Sequence, residues 1–147
     1  MKILFALFLA LSLNAAGFWT LTGLKKANVY VENQLTLIKP ETLSVIKEKM
    51  AQTLTQNKIA MNQQDSSTLM LSLEEIEGDD NLYYVYMKLS LGEDVQTFRK
   101  EREATFSLTF QATDFIETQS DTLDADVLES LRYLLGTFSE LYKEDNE

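Results

Sequence analysis

One stretch constrains this chain more than any other: Leu82-Tyr83-Tyr84-Val85-Tyr86-Met87-Lys88-Leu89-Ser90-Leu91. Side chains alternate along an extended strand. Tyr83, Val85, Met87, Leu89 and Leu91 therefore share one face, and Leu82, Tyr84 and Tyr86 the other. A strand with apolar or aromatic residues on both sides belongs inside a sheet, with each face wanting cover. The remaining segments are read as that cover.

Leu24 to Ile38 reads as a first strand, with Val29, Val31, Leu35 and Leu37 on one face and Tyr30, Glu32, Gln34 and Thr36 on the other. Lys39-Pro40 ends it, since proline donates no ladder hydrogen bond and suits the first turn of a helix. Leu43, Ile46, Met50 and Leu54 then follow three- and four-residue steps, which predicts a helix from Pro40 to about Gln56 with Asn57 as its stop. Leu69, Leu71 and Leu73 alternate with Met70, Ser72 and Glu74 in a further strand. Glu77-Gly78-Asp79-Asp80-Asn81 has the chemistry of a hairpin turn leading into the central strand, and Gly92-Glu93-Asp94 reads as the next turn. Phe106, Leu108, Phe110 and Ala112 alternate with Thr105, Ser107, Thr109 and Gln111, the pattern of a strand buried on one face.

Ser120-Asp121-Thr122 offers cap oxygens for a last helix marked by Leu123, Val127, Leu131, Leu134, Leu135, Phe138, Leu141 and Tyr142. Gly136 inside it suggests close packing, and the acidic end Lys143–Glu147 is expected to fray. The order β-α-β-β-β-α predicts an α+β two-layer sandwich: a mostly antiparallel four-stranded sheet with two helices on the face holding Val29, Leu71, Val85 and Leu108. Chain order leaves the first strand's position open, beside the third strand or beside the fourth.

The N-terminus points to export. Met1-Lys2, the apolar run Ile3–Leu13 and small residues at Ala15-Ala16-Gly17 have the layout of a secretory signal peptide over residues 1–16, with cleavage after Ala16 or Gly17. Residues 17–147 then form a single domain, expected in the periplasm. The rival reading is an uncleaved anchor holding the body outside the cytoplasm. No charge falls between Lys2 and Lys25, although Asn14, Gly17, Thr20, Thr22 and Gly23 weaken the span. Membrane contact is expected only in that case.

Composition removes chemistry. The sequence has no histidine and no cysteine. Ser-His-Asp and Cys-His catalysis, thiol-linked lipid attachment, disulfides and histidine-based zinc sites are excluded. A net charge of −10 repels phosphate backbones, so nucleic acid is not an expected partner.

Five constellations could carry function. The outer sheet face carries Tyr30, Met70, Ser72, Tyr84, Tyr86, Thr105, Ser107 and Thr109, residues that suit either a solvated pleated surface or a docking face, since tyrosine gives rigid contact area with a polar tip. Cover by the chain's own Phe18-Trp19 is the third reading of that face. The acidic run Glu74–Asn81 could gather calcium, yet its spacing departs from the known loop pattern and a polar hairpin tip explains it. Arg99-Lys100-Glu101-Arg102-Glu103 alternates in sign and reads as self-neutralised exposed chain. No motif positions a pair of carboxylates for acid/base work, so no enzyme and no cofactor is expected. A small apolar or lipid ligand between helices and sheet needs the helices to stand off the sheet. The leading expectation is an exported protein-interaction module that uses the tyrosine face or a strand edge to pair with another envelope protein or with itself. The alternative is a carrier of a small apolar or lipid ligand.

Overall fold

A computed structural model describes residues 19–62, 64, 67–77, 81–99 and 101–147. The expected leader with its cleavage points Ala16 and Gly17, Phe18, and the acidic hairpin tip at residues 78–80 lie outside the described residues. The elements are β1 (Ala27–Asn33), α1 (Pro40–Gln56), β2 (Ser67–Glu77), β3 (Leu82–Gln96), β4 (Ala104–Gln119) and α2 (Leu123–Asn146). They form the predicted α+β sandwich, a four-stranded sheet in the order β1-β2-β3-β4. The β2-β3 and β3-β4 pairs are antiparallel, and β1 runs parallel to β2. The first strand thus sits beside the second, not beside the third or fourth. A helical connection such as α1 is what a parallel pair requires.

The stretch Leu82–Leu91 is interior, between β2 and β4, as its two-sided pattern demands. Leu69, Leu71 and Leu73 of β2 and Val85, Met87, Leu89 and Leu91 of β3 are buried on the helix side. Ile46, Met50 and Leu54 of α1 and Leu131, Leu134 and Phe138 of α2 close over them in one core. Phe138 meets Phe110 of β4 edge-on at 5.4 Å, a favoured aromatic geometry.

Local rules place the boundaries. β1 ends at Asn33 rather than Ile38 because the Asn33 side chain accepts from the Leu35 N–H at 3.0 Å, an Asx turn that folds Leu35 and Ile38 into the core. α1 ends at Gln56, as its spacing predicts. Lys58 adopts a left-handed φ of 59°, the Ile59 N–H reaches Leu54 O and the Lys58 N–H reaches Thr55 O. That is a Schellman motif, and the apolar contact that accompanies it joins buried Ile59 and Leu54.

Four further expectations change. Gly92-Glu93-Asp94 is not a turn: β3 runs through it to Gln96, and the reversal comes after it, where the Thr97 N–H reaches Glu103 O. Gly136 is not closely packed, since a Cβ there would meet nothing within 4 Å; it lines an open cleft with Lys49, Gln52 and Arg132. The acidic end does not fray. α2 stays helical to Asn146, where Asp145 accepts from the Leu21 N–H at 2.6 Å, and Asn146 accepts from the Gly23 N–H and donates to Leu21 O. The fourth concerns β4.

β4 is out of step with its own sequence pattern. Leu91 pairs with Phe110 but Gly92 pairs with Leu108, so Thr109 is an extra residue, a β-bulge. Phe110 stays buried on the helix side, and Thr109 turns there too, its hydroxyl donating to Glu93, which also accepts from Ser67 at 2.6 Å. Beyond the bulge alternation is inverted. Phe106 crosses to the outer face and lies over Gly92, where an added Cβ would stand 2.2 Å from its ring and 3.1 Å from the Met70 methyl. Leu108 therefore does not join the helix-covered face.

A candidate docking face on the bare side of the sheet

The face away from the helices carries two apolar patches with a polar waist between them. At one end Tyr84 of β3 stacks on Phe115 of β4, ring centroids 5.7 Å apart and planes within 11°. Ile76 stands opposite Tyr84 across the β2-β3 ladder, and Tyr86 opposite Phe115 across the β3-β4 ladder. Phe115 is 55% exposed and Ile76 50%. At the other end Phe106 and Met70 close over Gly92, with Leu108 paired to that glycine. Phe106 is 59% exposed. Only glycine lets the ring lie that near the backbone.

The waist is polar and bonded. Ser72 donates to Glu74 at 3.4 Å and lies 3.5 Å from Glu32, while the Lys88 ammonium lies 4.0 Å from Glu74. Tyr84 and Gly92 stand eight residues apart on β3, which at roughly 3.3 Å per residue separates the patches by about 26 Å.

Of the residues the sequence assigned to this face, the structure brings Tyr30, Met70, Ser72, Tyr84 and Tyr86 onto it. Tyr30 sits on the edge strand opposite Met70 and is largely exposed. Thr105, Ser107 and Thr109 are not on it, because the bulge sends them to the other side. Phe106, Leu108, Phe115 and Ile76 take their place. The signal for the exchange is Gly92, an isolated glycine in a strand pattern and so a marker of a bulge or a close approach. Phe115 was legible too, as the outward member of the alternation that continues through Ala112, Asp114 and Ile116.

Phe18 lies outside the described residues, and from Thr20 on the N-terminal arm follows the edge of β4. The Thr20 N–H donates to Thr109 O at 2.8 Å on the free edge of β4, and Leu21 and Leu24 then turn into the core. The Tyr142 hydroxyl holds Leu24 O at 3.3 Å.

The other candidates have local partners. Glu93 is held by Thr109 and Ser67, Asp114 accepts from Ser130 at 2.7 Å, and Asp126 accepts from Thr118. Among the described residues no three acids gather in a group fit to hold a metal ion. Arg99, Glu101, Arg102 and Glu103 are exposed in the β3-β4 turn beside a fully exposed Phe98. Between helices and sheet, Ile46, Met50, Leu54, Leu71, Met87, Leu89, Leu131 and Leu134 are each at 0% exposure, so the layers meet without standing off. Asp124, in the first turn of α2, accepts from the Lys39 N–H at 3.1 Å and pairs with its ammonium at the same distance. Burial pushes its carboxyl up, but hydrogen bonds from Thr42 and Lys39 and the Lys39 charge outweigh this and hold it below its usual value.

Among the described residues no helix is long and apolar enough to cross a membrane. No family model matches the chain. No curated protein matches it in sequence. Among solved structures it is similar to a minor lipoprotein from Acinetobacter baumannii, at 12% identity over 81% of this chain and 87% of that one, with a TM-score of 0.35. A likeness that distant transfers no residue and no activity.

Proposed function

We propose that this chain is an exported envelope protein that works by binding, a non-catalytic adaptor or assembly module whose docking surface is the bare face of its sheet. The observation that carries this reading is the Tyr84–Phe115 stack, a half-buried ring against an open one, flanked by exposed Ile76. Aromatic side chains already fixed in place lose little entropy on binding, and such residues are enriched at protein interfaces. Export rests on the signal-peptide layout of residues 1–16, and periplasmic location follows from it. The carrier reading has less support, because the interlayer it needs is filled by buried side chains.

The test is a crosslinking pull-down from whole envelopes with the wild-type chain and Tyr84→Ser/Phe115→Ser. A partner set that disappears in the variant while circular dichroism stays native is the expected result. An unchanged partner set would remove the docking reading. A lipid-mass adduct in native mass spectrometry of protein purified from its own envelope would favour the carrier instead.

A further inference from the structure

The charge around the two apolar patches narrows what can dock there. Of the residues charged at neutral pH that the four strands place on this side, four are acids, Glu32, Glu74, Asp94 and Glu117, and one is a cation, Lys88. Two stand beside the patches and two in the waist between them. Glu117 stands opposite Tyr84, and Asp94 opposite Phe106. Glu74 stands opposite Tyr86, and Glu32 opposite Ser72. Lys88 lies 4.0 Å from Glu74 and offsets only one of the four acids. Each apolar patch thus has an acid beside it and the waist between them holds two more, while the turn beyond Phe106 carries Arg99 and Arg102 with Glu101 and Glu103. A second copy of this face would bring like charges together around each aromatic anchor, and an anionic lipid surface would be repelled for the same reason.

We infer that the occupant is a cationic amphipathic segment of a protein partner, apolar side chains seated on the Tyr84/Phe115 and Phe106/Met70 patches and lysines or arginines against the acids beside them. This rests on the docking reading proposed above. The spacing of about 26 Å corresponds to roughly eight residues of extended chain or about eighteen of helix. Rim charges set the approach and the register while the apolar centres hold the segment, so its affinity falls as salt screens the rim.

The test is calorimetric titration of the full chain with two synthetic probes, an 18-residue Leu/Lys amphipathic helix and its Leu/Glu counterpart. Three variants accompany it: Glu74→Lys/Glu117→Lys on the face, Tyr84→Ser/Phe115→Ser on the rings, and Glu48→Lys/Glu129→Lys on the exposed sides of the helices. The expected result is binding of the Leu/Lys probe alone, weakened tenfold or more by the face and ring variants and less than twofold by the helix variant. An equal loss in the helix variant would reduce the effect to bulk charge and overturn the inference. Loss in the ring variant with none in the face variant would overturn the cationic chemistry and leave docking standing. No loss in either would overturn both. A wild-type dimer in light scattering that Phe115→Ser dissolves would name a second copy as the occupant, against the inference. Should the charge reversal unfold the protein, Glu74→Gln/Glu117→Gln provides the same reading, with a loss of several fold expected.

Discussion

The two faces of this sheet are built from the same strands and have opposite fates. On the helix side Val85, Met87, Leu89 and Leu91 sit at or near zero exposure under α1 and α2. On the bare side of the same strand Tyr84 and Tyr86 are half-buried by strand neighbours, and across the ladder Phe115 stands open. Burial on the first face drives folding, at about 1.5–3 kcal/mol for each large apolar side chain fully removed from water. On the second face large apolar side chains gain a fraction of that and stay partly uncovered, which is what the proposed docking would use. A ring count alone cannot separate the two roles; what lies above each ring does.

The sharpest way to break this contrast is to truncate one ring on each side. Phe138→Ala should destabilise the fold by about 3–5 kcal/mol, whereas Phe115→Ala should lose less than about 1 kcal/mol. Urea denaturation measures both, and equal losses would mean that the bare face contributes to folding as much as the core does. Next comes the bulge that exchanges residues between the faces. Thr109→Val removes a hydroxyl that Glu93 accepts from, which should lose about 1–2 kcal/mol in the same assay. A neutral result would show that the bulge holds without its clamp.

A smaller effect tests the polar tie at the helix side. Asp124 holds the start of α1 from the start of α2, and its folded-state carboxyl lies below the usual value. A lowered folded value adds stability that is present above the unfolded value near 4 and fades as pH falls through the folded one. Asp124→Asn should therefore lower stability by about 0.5–1 kcal/mol at pH 7. The gap from wild type should close below the carboxylate range, and melting curves at the two pH values check it. A gap that persists in acid would assign the effect to packing. The smallest change is Gly92→Ala. The added methyl meets the rim of an exposed ring that can swing away, and alanine lowers the entropy of the unfolded chain, so the net effect should stay within about 0.5 kcal/mol. Its signature is local: the Met70 methyl resonance should move as Phe106 leaves its place.

Periodicity made most of the fold legible. The 3.6-residue stripe Ile46-Met50-Leu54 and its counterpart in α2 marked two one-sided helices, and two-sided apolar character put Leu82–Leu91 inside the sheet. What escaped was non-local. Nothing within Leu24–Asn33 says which strand it will join, because its partner β2 lies beyond a helix. The outer face was legible through β2 and β3 and failed in β4. A single extra residue inverts every side chain that precedes it, and period-two reasoning carries no memory of such a slip. Asp145 and Asn146 were equally hidden, since what keeps them helical is an arm more than 120 residues away in sequence.

That arm has a consequence for how such a body comes into being. Its residues Thr20 to Gly23 are gripped by the last turn of α2. For a chain that threads through a membrane pore with its N-terminus leading, the lock emerges first and its key last. On the export proposed above, this contact would be the last to form, because Asp145 and Asn146 leave the pore after everything they hold.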